Sequence, residues 1–155
     1  MNVLKIALAT ILVLLIVLAV VAPVGPLPGF IIGGTQTSIP DRWQDTSAIH
    51  EIKLEVSGTI PRVVIIWVVQ VAGELHVVGA NDSGWVKMLG MSSPVRLRME
   101  DKTYSMIATR IDEDWQAVLE AYRDKYITDY PDIIGGFPSI EEARETTAVF
   151  RLGSN

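Results

Sequence analysis

The stretch Leu75–Leu89, LHVVGANDSGWVKML, decides how the chain is read. Leu75, Val77 and Val78 carry a strand to Gly79, the quartet Asn81-Asp82-Ser83-Gly84 breaks it, and Trp85 to Leu89 reads as a short helix stopped by Gly90. Ser83 stands where an N-cap belongs, its hydroxyl placed to accept from the first free amides. A strand running into such a turn and a helix start leaves several N–H groups without carbonyl partners. That makes either a cradle for a phosphate or carboxylate, or a connecting turn with a good cap and no ligand.

Upstream, Arg62 to Val71 (RVVIIWVVQV) is so continuously apolar and β-branched that it predicts a central strand covered on both sides. Ala72-Gly73 turns it back as a hairpin into Glu74–Ala80. Before it, Ile52, Leu54 and Val56 alternate with Lys53 and Glu55, the period of a half-buried strand. Downstream, Val95 to Met99 alternates again and turns at Glu100-Asp101-Lys102 into a hairpin partner over Thr103 to Ile111. Trp115, Val118, Leu119, Tyr122 and Tyr126 then form one helical stripe, with Asp112 and Asp114 at its positive end. Ile133 to Pro138 reads as a loop, Ser139 and Glu142 have capping-box spacing for a short helix, and Thr146 to Leu152 supplies a last strand. Hairpin-linked strands with few helices predict an α+β fold, a six-stranded antiparallel barrel.

The 155 residues include 13 basic and 18 acidic side chains, and only Lys5 is charged before Asp41. Residues 41–155 are therefore net acidic, which excludes a sequence-independent nucleic-acid binder. With no cysteine there is no disulfide, thiolate metal site or cysteine nucleophile. His50 and His76 are the only histidines, and neither has a second ligand at metal spacing, so no metal is expected. Asp112-Glu113-Asp114 reads as a solvated helix start, and Arg96 and Arg98, on one strand face, as partners of surface carboxylates.

Ile6 to Ala22 is apolar except for Thr10, and with Val3 and Leu4 it is long enough to cross about 30 Å of hydrocarbon. The run exceeds the core of a cleaved signal peptide and Pro23 follows at once, so an uncleaved anchor over residues 1–23 is expected, in bilayer contact through 3–23. Lys5 before the span, against an uncharged stretch after it, sets the N-terminus in the cytoplasm and the domain on the extracytoplasmic, periplasmic side. Residues 24–40 read as a Pro/Gly stalk, flexible from Gly33 to Pro40, and 41–155 as the folded domain.

From about Val56 to Tyr130 the chain resembles the flavin- and deazaflavin-binding split β-barrels, the group that includes pyridoxamine-phosphate oxidases. The nearer likeness is to the deazaflavin-dependent nitroreductase and quinone-reductase branch. Pro61-Arg62 opening a long apolar strand, GELHVVGA followed by NDSGW, Ser93-Pro94-Val95 leading into a strand, and the hairpin before the Trp115 helix carry it. The resemblance implies FMN or a deazaflavin in a groove of the barrel. Arg62, Asn81, Ser83, Gly84 and Lys87 would then lie about its phosphate, with Trp85 walling the ring pocket. It also implies dimerisation along the barrel side. No side chain is assigned as acid or base, because the cofactor carries the hydride. Two functions follow. One is a membrane-anchored oxidoreductase reducing a quinone or another hydrophobic acceptor. The alternative is a non-catalytic tethered accessory or assembly subunit of a membrane complex, a reading favoured by the uncharged stretch Ser57-Gly58-Thr59-Ile60 where the family usually has basic residues.

Overall fold

A computed structural model describes residues 2–21, 23 and 27–154, with side chains of the first helix described from Val3 to Val17. That helix, α1, spans Asn2–Val21. Every large apolar side chain described on it is exposed, from Val3 at 81% to Val17 at 50%. Its described side chains cover roughly 22 Å of helix. Among the described residues no helix is long and apolar enough to cross a membrane. Ala22 and residues 24–26, the end of the expected anchor and most of the Pro-rich start of the stalk, lie outside the described residues.

The remaining elements are β1 (Thr35–Gln36), β2 (Glu51–Val56), β3 (Arg62–Trp67), β4 (Val69–Val71), β5 (Glu74–Ala80), α2 (Gly84–Leu89), β6 (Ser92–Met99), β7 (Lys102–Arg110), α3 (Trp115–Tyr126), α4 (Pro131–Gly135), α5 (Ile140–Thr146) and β8 (Thr147–Gly153). Seven strands form one curled path, β3-β2-β6-β7-β8-β5-β4, antiparallel throughout, and β1 adds to β7 in parallel. The expected six strands become seven because the run from Arg62 to Val71 breaks at Val68. Its first half pairs with β2 and its second with β5, so the two ends of the sheet are consecutive pieces of one run. The break has a visible cause. The Val68 N–H donates to the Tyr126 hydroxyl (3.1 Å), and the Val68 carbonyl accepts from Lys125 Nζ (2.8 Å). Backbone groups satisfied by a helix are withdrawn from the ladder, and the strand changes partners there. Nor is β3 covered on both sides as expected: only Val63 is fully buried along it.

Other elements form as their residues dictate. Ala72 and Gly73 both have positive φ (51° and 85°), the geometry of a tight hairpin whose twist matches its strands. Val118, Leu119, Tyr122 and Tyr126 of the predicted stripe are buried. Ser139 and Glu142 make the reciprocal capping box on α5. The expected loop at 133–138 contains the end of α4.

Alternation along the strands divides the apolar side chains into two layers. The inner one holds Leu54, Val56, Leu75, Val77, Leu97, Phe150 and Leu152, with α2 closing it through Trp85, Val86 and Leu89. The outer one packs α3, α4 and α5 on the sheet through Val69, Tyr122, Tyr126, Ala143 and Val149. Trp67 belongs there, stacked on Tyr126 with ring centres 4.2 Å apart.

Gly29 to Thr37, read from sequence as the end of a stalk and the start of a flexible linker, is instead tied to the sheet. Gly29 exchanges two backbone bonds of 2.8 Å with Val63, the Ile32 carbonyl accepts from Arg98 and the Gly33 carbonyl from Thr103. Thr35 and Thr37 extend the strap onto the free edge of β7. Phe30 and Ile31 stay exposed while Ile32 is buried.

Candidate functional site

The turn after β5 and the start of β3 meet at one end of the sheet. On β3, Val64 and Ile66 pack against the inner layer, and Arg62 shares their side of the strand. Its guanidinium lies against the first residue of α2: a β-carbon on Gly84 would stand 2.9 Å from Arg62 Nη1. A larger residue there would push the guanidinium aside. The opening loop is there too, since a β-carbon on Gly58 would stand 3.0 Å from the Met88 methyl group. The structure thus brings the loop before Arg62, Arg62 itself and the Ser83–Gly84 elbow together, although they lie far apart in sequence.

Arg62 is distinguished by what it lacks. Its Nε is buried without a hydrogen-bond partner, and among the described residues the guanidinium has neither a hydrogen bond nor an ion pair. The other strand arginines are engaged. Arg96 grips the buried Glu55 with two bonds, 2.7 Å from Nε and 2.5 Å from Nη2. Arg98 donates to the carbonyls of Glu100 and Ile32, and Arg110 to Asn81. The pairing expected for Arg96 is present, while Arg98 finds backbone oxygens in place of a carboxylate.

The remaining predicted site residues divide. Lys87, one turn along α2, is exposed. Ser83 occupies the N-cap position, but its hydroxyl donates to the Ala80 carbonyl (2.8 Å) and accepts nothing from the helix. The turn curls back on itself, so the hydroxyl finds a carbonyl before it finds an amide. Asn81 is held by structure: its amide donates to the Glu145 carbonyl (2.7 Å) and its oxygen accepts from Arg110 (3.1 Å), pinning the elbow to α5 and β7. Trp85 is 8% exposed and lies under β5, where a β-carbon on Gly79 would come within 2.2 Å of its ring. It fills the end of the inner layer. The larger clefts open elsewhere, about 470 Å³ on the outer face of β5 and about 630 Å³ beside Lys125. The elbow itself is a surface site: a guanidinium unpaired among the described residues, an exposed ammonium, and beside them the exposed apolar side chains of Ile60 (66%) and Met88 (37%).

The histidines do not join it. His76 is buried with Nδ1 3.2 Å from the Glu74 carbonyl, and burial holds its pKa below the ordinary value. His50 sits 3.3 Å from Asp129. Among the described residues no group of three or more histidine or acidic side chains could hold a metal ion. A second cation, readable from sequence only as a positive charge near the C-terminus of α3, has a further role. Lys125, half-buried, donates to the carbonyls of Thr46, Ile49 and Val68 at 2.8–2.9 Å, and its placement on the flank of an apolar stripe gives no hint of three backbone acceptors.

No family model matches the chain, and no curated protein matches it in sequence. Solved structures do resemble it, one of them at the level of a shared fold. The FAD and heme binding protein from Mycobacterium smegmatis is 16% identical over 70% of this chain and 62% of that one, with a TM-score of 0.50. HutZ, the heme storage protein from Vibrio cholerae, is 16% identical over 68% of this chain and 81% of that one, with a TM-score of 0.48. A NimC/NimA family protein from Clostridium acetobutylicum is 16% identical over 66% of this chain and 72% of that one, with a TM-score of 0.44. The chain spans 62% of the length of the Mycobacterium smegmatis protein. At this identity the likeness concerns the fold, a curled antiparallel sheet of the split-barrel kind with helices packed on it.

Proposed function

We propose that this chain is a split-barrel protein that holds a flavin-type cofactor at the Arg62 elbow. The observation that carries the reading is the Arg62 guanidinium, partly covered, without a partner among the described residues and set against Gly84. A buried N–H without an acceptor is uncommon in folded proteins, and a phosphate oxygen is the acceptor for which an arginine fork is best shaped. Lys87 would add a second positive charge from α2. Ile60 and Met88 offer an apolar shelf on which a ring can lie beside its phosphate. A flavin or deazaflavin, when bound, supplies hydride chemistry. The chain's part is to orient the ring and exclude water, with no side chain as acid or base. FAD and heme binding by the Mycobacterium smegmatis protein is in keeping with a flavin here.

In this reading α1 lies in the bilayer with its N-terminus cytoplasmic, and the split-barrel domain works close to the opposite, periplasmic surface. A quinone or similar apolar acceptor would then reach the shelf from the lipid. The deazaflavin-dependent branch is the form of this reading in which the cofactor is a deazaflavin. A second copy of the chain, or a subunit of a membrane complex, would cover the open side of the shelf.

The accessory-subunit reading has its own observation: Asn81 and Trp85 are engaged in holding the fold, which leaves Arg62, Gly84 and Lys87 as the bare elbow. Titration of detergent-purified full-length protein with FMN, FAD, a deazaflavin and phosphate-free riboflavin separates the two. The cofactor reading predicts saturable quenching by at least one phosphorylated flavin or deazaflavin, and about tenfold or weaker binding of riboflavin. Absence of binding by all of them, with stoichiometric protein partners retained in mild detergent, selects the accessory subunit. Retention of the protein in the membrane pellet at alkaline pH is the expected result for the anchor, and release into the supernatant would remove that part.

A further inference from the structure

The 470 Å³ cleft lies on the other side of β5 from Trp85 and the Arg62 elbow. Gly79 presents its side-chain position to α2, so by alternation Val78 and Ala80 face outward, where Leu119, Phe137 and Ala143 complete an apolar wall. Four polar side chains break the apolar lining, those of Tyr122, Arg123, Thr146 and Thr147. Tyr122, only 6% exposed, borders the cleft, and its hydroxyl has no hydrogen-bond partner among the described residues. Among the described residues Arg123 is the one charged residue that lines the cleft, and it donates to the Pro138 carbonyl alone. Among the described residues no carboxylate lines the space; the Thr146 hydroxyl is taken by the Glu142 carbonyl, and that of Thr147 has no partner.

A mainly apolar cavity of drug-sized volume, with a guanidinium and the hydroxyls of Tyr122 and Thr147 unpartnered among the described residues, selects a particular chemistry. The body of the ligand must be apolar, and its polar end must accept hydrogen bonds and carry negative charge. We propose that this cleft is a binding site for a small apolar carboxylate, an aryl-alkyl or short branched acid. Its carboxylate would be held by Arg123 and Tyr122, and its apolar body would lie on Val78, Leu119 and Phe137. The proposal is independent of the flavin reading, because the two sites occupy opposite faces of β5.

The test uses 4-phenylbutyrate and its uncharged analogue 4-phenylbutanol as probes on the full-length protein, followed by amide chemical shifts. Saturable shifts at Gly79, Ala80 and Thr147, with the acid bound about tenfold more tightly than the alcohol, are expected. Arg123→Gln should bring the acid down to the affinity of the alcohol, and Tyr122→Phe should weaken the acid about threefold to tenfold. Ala143→Leu, which fills the cleft, should abolish both; if that variant does not fold, the Arg123→Gln comparison still decides. Equal affinity for acid and alcohol in the unaltered protein, shifts confined to other regions, or no saturation by about 10 mM would overturn the proposal.

Discussion

Lys125 and Arg62 are both cations drawn partly out of water, and their surroundings differ completely. Lys125 donates to three carbonyls, two in the loop before β2 and one at the Val68 break, so its charge is answered by the chain. Arg62 is pressed against Gly84, with a buried Nε that has no hydrogen-bond partner among the described residues. A cation with every donor answered holds the fold together. One kept without an acceptor is a cost in the folded state, and a bound anion would remove it. The contrast separates a structural cation from a binding one by partners alone.

Substitutions at and around the two sites can break that contrast. Lys125→Met should have the largest effect on stability, lowering it by about 2–4 kcal/mol, since three carbonyls lose a charged donor together. Chemical denaturation would show it, and cofactor affinity should be unchanged. Gly79→Ala should cost about 1–3 kcal/mol, because the new methyl meets the Trp85 ring and the adjoining α2 must move. Unlike Lys125→Met, it should also weaken anion binding, since Gly84 and Lys87 move with α2. Tyr126→Phe should cost about 1–2 kcal/mol, because the Val68 N–H then loses its acceptor. Smallest of all, Arg62→Gln should change stability by at most about 0.5 kcal/mol in either direction.

The pH dependence sharpens the same division. Burial pushes the Tyr122 and Tyr126 hydroxyls well above the ordinary tyrosine value, so their contribution is complete below pH about 10 and is lost as pH rises beyond it. Lys125, lowered by burial, works in the opposite direction over part of that range and offsets some of the fall. On the acid side burial lowers His76, so stability declines as pH drops below about 6.5 and the unfolded chain takes up the proton first. Melting temperature against pH should therefore fall on both flanks. A profile flat from pH 5 to 11 would show that these groups are solvated in the folded chain.

Much of the fold was legible where the signal is local. The Ala72-Gly73 hairpin, the α3 stripe and the capping box each rest on residues a few positions apart. The break at Val68 was not, because RVVIIWVVQV contains no glycine, proline or polar interruption before Gln70. What ends the strand is supplied from α3, nearly sixty positions away. The strap at Gly29–Thr37 was hidden for a related reason. Gly/Pro-rich composition describes a segment's intrinsic freedom and says nothing of the open edges of β3 and β7 that it finds.

At the elbow, the meeting of Arg62 with Gly84 follows from the family-like order of elements, and the structure places them together. The roles of Asn81, Ser83 and Trp85 were not legible. Each depends on a neighbour that the turn's own sequence does not contain or does not orient: the Glu145 carbonyl, the Ala80 carbonyl and the missing side chain of Gly79.

The most direct test is the ratio of FMN dissociation constants for Arg62→Gln and the unaltered protein, measured by fluorescence quenching in detergent. The account predicts affinity about 10- to 100-fold weaker in the variant, the loss of one charge-assisted phosphate contact, from a protein that melts at the same temperature. An unchanged dissociation constant, or a variant that unfolds as readily as Lys125→Met, would contradict it and return Arg62 to the class of structural cations.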